Sequence, residues 1–158
     1  MKLVVVIVGK DRGDPIVGAS DDYLQRLQHY FPAEVVEVKE EPAKKGRSVE
    51  VVKRAEAERI RRVIPDGALT IALDERGKAY RSEQLAEKLE RWQVEGTRSV
   101  ALVIGGPNGL DAEFLKKARE RWSLSSLTLP HRIARLVLLE QLYRAGTILR
   151  REPYHRGD

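Results

Sequence analysis

Leu3-Val4-Val5-Val6-Ile7-Val8-Gly9 is the stretch that decides the fold. Five of its six apolar residues are β-branched, they run without alternation, and a glycine ends them. A strand with one wet face alternates polar and apolar residues. A strand covered on both faces does not, and such strands belong to parallel sheets with helices on each side. The same reading predicts strands over residues 34–39, 68–73 and 99–104 and, from a sparser pattern, 124–129.

Helical patterns fill the intervals. The first is expected over 16–31, where Tyr23, Leu24, Leu27, Tyr30 and Phe31 return at spacings of three and four after Pro15, a residue suited to a first turn. The second, 48–63, places Val52, Ala55, Ile60 and Val63 on one stripe and is broken by Pro65-Asp66-Gly67. The third, 82–95, turns Leu85, Leu89 and Trp92 inward and stops at Gly96, and a short fourth is expected over 112–121. The fifth follows Pro130. Its IARLVLLEQLYRAGTIL (133–149) is apolar around more of its circumference than one sheet face needs, so it packs against something else as well. Alternating strands and helices define the fold class as α/β, a mostly parallel sheet with helices on both faces.

Composition narrows the function. The 158 residues are 42% hydrophobic and 34% charged, which fits one globular domain with a substantial core. Net charge is +5, compatible with a polyanionic partner without requiring one. Zero cysteines exclude disulfides and thiolate chemistry, and His29, His131 and His155 lack metal-ligand spacing, so no metal is expected. The apolar run at the start is too short for a membrane span or a signal peptide, and the expected location is cytoplasmic with no membrane partner.

In a parallel sheet, ligands sit beyond the carboxyl ends of the strands. Three segments are expected there: 73–78, the glycine-rich Gly105-Gly106-Pro107-Asn108-Gly109-Leu110, and 123–131. The glycine segment matches neither the dinucleotide fingerprint nor the P-loop. It either brings bare backbone groups against a ligand or only shapes a tight turn. A response-regulator reading fails because no lysine follows Lys117. A flavodoxin-type reading fails because Gly9-Lys10-Asp11-Arg12-Gly13 offers no hydroxyl.

Taken together, LVIGGPNGL (102–110), SLSSLTLPHRIARLVLLEQLYRA (123–145) and Tyr154-His155-Arg156 closely resemble the ribosomal RNA large subunit methyltransferase H family. That family belongs to the SPOUT superfamily of trefoil-knotted methyltransferases. The resemblance covers essentially the whole chain, from MKLVVVIVGK to the YHR tail. It implies a single domain over 1–158, a C-terminal trefoil knot within roughly 69–150, a short catalytic tail at 151–158 and a homodimer. The apolar circumference of the last helix agrees with the dimer.

The resemblance further implies S-adenosyl-L-methionine as methyl donor. The matching cofactor positions are Leu73, Gly105, Leu124, Ser125, Ser126, Leu127, Thr128 and Leu129. Apolar walls and backbone groups suit an adenine ring, and a sulfonium ligand has no phosphate to neutralise; core packing is the other role open to the leucines. The family's acceptor is N3 of a pseudouridine in 23S rRNA within the assembled ribosome. Its catalytic positions fall on His155 as proton-handling residue, Arg156 as substrate binder, Tyr154 as a stacking ring and Arg144 as a second cation. Arg144 also stands one turn after Glu140, where a plain salt bridge forms. His131 is read as a residue that caps or orients its loop. The basic stretch 44–62 is either a solvated face or a phosphate-tracking surface, with Lys44-Lys45-Gly46-Arg47 its best candidate. The alternative function is a noncatalytic ribosome- or RNA-binding α/β dimer of the same fold.

Overall fold

The computed structural model describes residues 1–10 and 12–156, for His155 and Arg156 the backbone alone. Five strands form one sheet in the order β2-β1-β4-β3-β5, and every pairing is parallel. They are β1 (Lys2–Val8), β2 (Ala33–Val38), β3 (Leu69–Ala79), β4 (Ser99–Ile104) and β5 (Glu120–Ser123). The helices are α1 (Pro15–Leu27), α2 (Val49–Val63), α3 (Ser82–Val94), α4 (Ala112–Lys117) and α5 (His131–Leu149), followed by a 3-10 turn at Pro153–Arg156.

The strand that opens the chain is buried along Leu3 to Val8, each at most 1% exposed, as an unalternated run requires. Its side chains alternate between two cores. Leu3, Val5 and Ile7 join α1, α3 and α5 on one face. Val4, Val6 and Val8 join α2 and α4 on the other.

Local chemistry sets the helix starts. Asp14 Oδ1 accepts the Ile16 N–H at 2.8 Å with Pro15 in the first turn, Ser48 Oγ accepts from Val51 at 3.3 Å, and Asp111 Oδ2 from Phe114 at 3.0 Å. Asp14 also pairs with Arg132, tying the start of α1 to the start of α5. That guanidinium holds the Asp14 carboxyl below its usual range.

Four boundaries differ from expectation. α1 ends at Leu27; residues 28–31 form turns ahead of Pro32, which disfavours helical backbone at Phe31, and Phe31 is buried all the same. The fourth helix stops at Lys117, and the fifth strand is 120–123 instead of 124–129. Here the Arg119 N–H donates to the Thr70 carbonyl at 2.8 Å, which starts pairing with β3, and Trp122 stacks on Trp92 with ring centroids 5.8 Å apart. Finally, 73–78 is no simple loop. β3 continues through it, with both Leu73 and Lys78 in register with Trp122, so 74–77 bulges outward. Gly77 makes the return possible: a Cβ there would stand 2.6 Å from the Trp122 carbonyl carbon.

Candidate active site

A cleft of about 700 Å³ opens at the carboxyl ends of β3 and β4, within the range of small-molecule sites. One wall is the end of β3 and its bulge, from Leu73 to Arg76. The floor is Ile104 and the glycine loop. The opposite wall is the 124–130 segment with His131 and Ala134 of α5.

The glycine loop turns because the Gly109 N–H donates to the Gly106 carbonyl at 2.9 Å. At Gly105 a Cβ would stand 2.9 Å from the Gly109 carbonyl carbon and 3.0 Å from Leu110 Cγ, so a side chain there would collapse the turn. Across the cleft, Thr128 Oγ1 donates to Glu75 Oε2 at 3.1 Å. Asp74 accepts the backbone N–H of Arg76 at 2.8 Å and pairs with its guanidinium. Burial presses the Asp74 carboxyl upward, but these bonds outweigh it and hold the group below its usual range.

Of the eight expected cofactor positions, Leu73, Gly105, Leu124, Leu127, Thr128 and Leu129 line this one cleft. Ser125 and Ser126 do not. Ser125 braces the segment instead: its Oγ accepts the Leu127 N–H at 2.9 Å and its carbonyl accepts from Ser123 Oγ at 2.8 Å. Ser126 is exposed. The leucines that resemble strand alternation are therefore cleft wall, and Leu127 is 72% exposed at the rim.

Tyr154 and Arg144 lie elsewhere. Arg144 is thirteen residues beyond His131 on α5, about 20 Å along the axis at 1.5 Å per residue. There the Tyr154 hydroxyl donates to Glu140 Oε1 at 3.1 Å and lies 3.2 Å from the Tyr23 hydroxyl. Its ring meets Tyr143 edge-on at 4.7 Å, and the Arg144 guanidinium sits 4.8 Å from its centroid. Arg144 also donates to Glu140 Oε1 through Nε at 2.9 Å and Nη2 at 2.5 Å, the salt bridge its spacing allows. Burial, then the Tyr23 and Glu140 contacts, push the Tyr154 phenol well above its ordinary range, which suits a hydrogen-bond donor and not a base. The side chains of His155 and Arg156 lie outside the described residues. One chain thus brings six of the expected cofactor positions together on one cleft but keeps Tyr154 and Arg144 apart from them.

Three further residues bear on the cleft. His131 lines it and sits against the end of β1, its Nε2 3.2 Å from where a Cβ on Gly9 would stand. Lys53 of α2 lines it too. Glu56 lies behind the glycine loop, 2% exposed, where burial above all raises its carboxyl. Sequence reasoning read the whole 44–62 stretch, in which Glu56 falls, as either a solvated face or a phosphate-tracking surface. The missed sign was the place of Glu56 four residues after Val52 and four before Ile60, on the core stripe. Among the described residues no group of three potential metal ligands occurs, and no helix is long and apolar enough to cross a membrane.

The fold is shared with solved methyltransferase structures. A "Probable Methyltransferase" from Bordetella pertussis superposes with a TM-score of 0.57 at 16% identity, over 90% of this chain and 95% of that one. TrmJ from Z. mobilis gives 0.54 at 14% identity, over 90% and 69%. At such identities the likeness is one of fold. The family model described as "Predicted SPOUT methyltransferase" matches residues 1–155. The ribosomal RNA large subunit methyltransferases H of Bordetella avium and Rubrobacter xylanophilus are 47% and 49% identical to the chain. They cover 99% and 98% of it, over 100% and 98% of their own lengths. The chain belongs to the ribosomal RNA large subunit methyltransferase H family of SPOUT methyltransferases.

Proposed function

We propose that this protein is an S-adenosylmethionine-dependent methyltransferase that methylates N3 of a pseudouridine in 23S rRNA, acting as a cytoplasmic homodimer on assembled ribosomes. The observation that carries this reading is the convergence of Leu73, Gly105, Leu124, Leu127, Thr128 and Leu129 on one cleft at the carboxyl edge of the sheet. The residues fit the donor. Leucines wall the cleft for an adenine ring, and Gly105 lets the loop turn tightly at its floor, where a Cβ would strike Gly109 and Leu110. The family's trefoil knot, in which the last helix is threaded through an earlier loop, belongs to the same reading.

When bound, S-adenosylmethionine supplies a methyl group already activated as a sulfonium, so the protein forms no covalent intermediate. Its own work is alignment of the acceptor nitrogen with that carbon and management of the N3 proton. His155 takes the proton, Arg156 holds a phosphate or the developing anion, and Tyr154 stacks on the base, with Arg144 as a second cation. The distance along α5 between the cleft and Arg144 supports a site completed by the partner's tail. The dimer is supported by α5 itself, where Ile133, Leu136, Val137 and Ile148 stay only half-buried in one chain. The exposed Lys44, Lys45 and Arg47 offer charge for the rRNA backbone.

The test uses methyl-labelled S-adenosylmethionine with ribosomes lacking the modification or with naked 23S rRNA, and maps the label by nucleotide. Label at N3 of one pseudouridine, on ribosomes alone, supports the whole reading. Cofactor binding without label on either RNA supports the noncatalytic dimer instead.

A further inference from the structure

Val52, Glu56, Ile60 and Val63 follow one another at helical spacing on α2, and Glu56 is almost as buried as Ile60, at 2% and 1% exposure. A carboxylate so placed is costly unless its oxygens are occupied. Glu56 Oε1 accepts the backbone N–H of Glu41 at 3.1 Å, near the start of the connection from β2 that carries the basic loop. On the other side the carboxylate meets the glycine loop. A Cβ built on Gly106 would stand 3.3 Å from Oε2, 3.4 Å from Oε1 and 3.1 Å from Val8 Cγ1. Gly106 lines the cleft and supplies the carbonyl that closes the loop's turn.

We propose that Glu56 is a positioning residue for the donor cleft: wedged between the Glu41 backbone and Gly106, its carboxylate sets how far the glycine loop stands off the sheet. This rests on the reading that the cleft holds S-adenosylmethionine. A leucine would fill the same stripe position and satisfy the core, but would offer the Glu41 N–H no acceptor. A loop residue with any side chain would press on Val8 and the carboxylate together. The cleft floor and the start of the basic loop are therefore held from one point.

The experiment measures S-adenosylmethionine binding by calorimetry and the KM values for cofactor and for ribosomes separately, in wild type, E56Q, E56L, E56A, G106A and E56A/G106A. E56L removes a buried charge but also the acceptor of the Glu41 N–H, two opposed effects on stability, so its urea midpoint is measured alongside and affinities are compared at a temperature where every variant is folded. Its cofactor affinity falls roughly tenfold, a loss seen as a raised cofactor KM with the ribosome KM unchanged. E56Q, which keeps the acceptor, stays within about threefold of wild type. G106A weakens binding in wild type and costs clearly less beside E56A, where the methyl has room. Wild-type affinity in E56L, or strictly additive losses in the double variant, overturns the proposal. Failure of the wild type itself to bind the cofactor overturns the cleft reading first, and this proposal with it.

Discussion

Thr128 Oγ1 donates to Glu75 Oε2 across the mouth of the cleft, joining the segment before α5 to the outward bulge of β3. The two loops come from strands that pair with each other, so this bond closes a short circuit around the mouth of the cleft. Both side chains are exposed, and the bond competes with water.

Thr128→Val keeps the shape and removes the donor. The expected result is a cofactor affinity lowered by about two- to tenfold, matching a hydrogen bond of roughly 0.5–1.5 kcal/mol. Glu75→Gln, which keeps an oxygen acceptor, stays near wild type. Calorimetry on the two variants checks this, and equal affinities for wild type and Thr128→Val would remove the latch.

Gly77→Ala tests the return of β3 onto β5. Its methyl would stand 2.6 Å from the Trp122 carbonyl carbon, and that contact is backbone, which cannot rotate away. Overpacking of this kind costs about 1–3 kcal/mol. The urea midpoint should fall with the m-value unchanged.

Glu56 gives a pH signature. Burial raises its carboxyl in the fold above the ordinary value of 4.5, with Glu40 and Glu41 adding to the shift and the Glu41 N–H and Arg59 opposing it. The folded protein therefore binds this proton more readily than the unfolded chain. The penalty is full above the folded pKa and fades as pH falls through it, reaching its minimum below the unfolded value. Glu56→Gln lacks the titration. Wild type should gain stability relative to this variant as pH falls from about 8 towards 4.5. Parallel urea midpoints across that range would contradict the assignment.

Tyr154→Phe keeps the edge-on contact with Tyr143 and the ring under Arg144, and loses only the hydroxyl bonds to Glu140 and Tyr23. A stability loss of about 1 kcal/mol follows. Methyl transfer should stay within a few-fold of wild type, because a phenol held protonated is not the base. Loss of transfer comparable to that of His155→Ala would reverse that assignment.

Much of this architecture was legible because burial writes itself into β1 and β4, whose apolar runs have no wet face. The end of α4 and the start of β5 were not. Glu120-Arg121-Trp122-Ser123 becomes a strand through its pairing with a bulged β3, and nothing in those four residues announces it. Leu124, Leu127 and Leu129 read as strand alternation because a cleft wall also spaces its apolar residues. Glu56 hid behind its charge among Lys53, Arg54 and Glu58, although its spacing placed it in the core. The separation of Arg144 from the cleft was beyond reach for another reason: helix length gives the distance, but only the placed ends of α5 show that the two groups do not meet within one chain.

In the proposed dimer the cleft of one subunit works with the tail of the other. Two inactive variants test it most directly: Gly105→Val, which breaks the turn at the cleft floor, and His155→Ala with Arg156→Ala, which removes the tail chemistry. Co-expressed and assembled at random, they should recover about a quarter of wild-type methyl transfer, since half of the dimers then carry one intact cleft facing one intact tail. Transfer no higher than that of either variant alone would show that each tail serves its own chain's cleft.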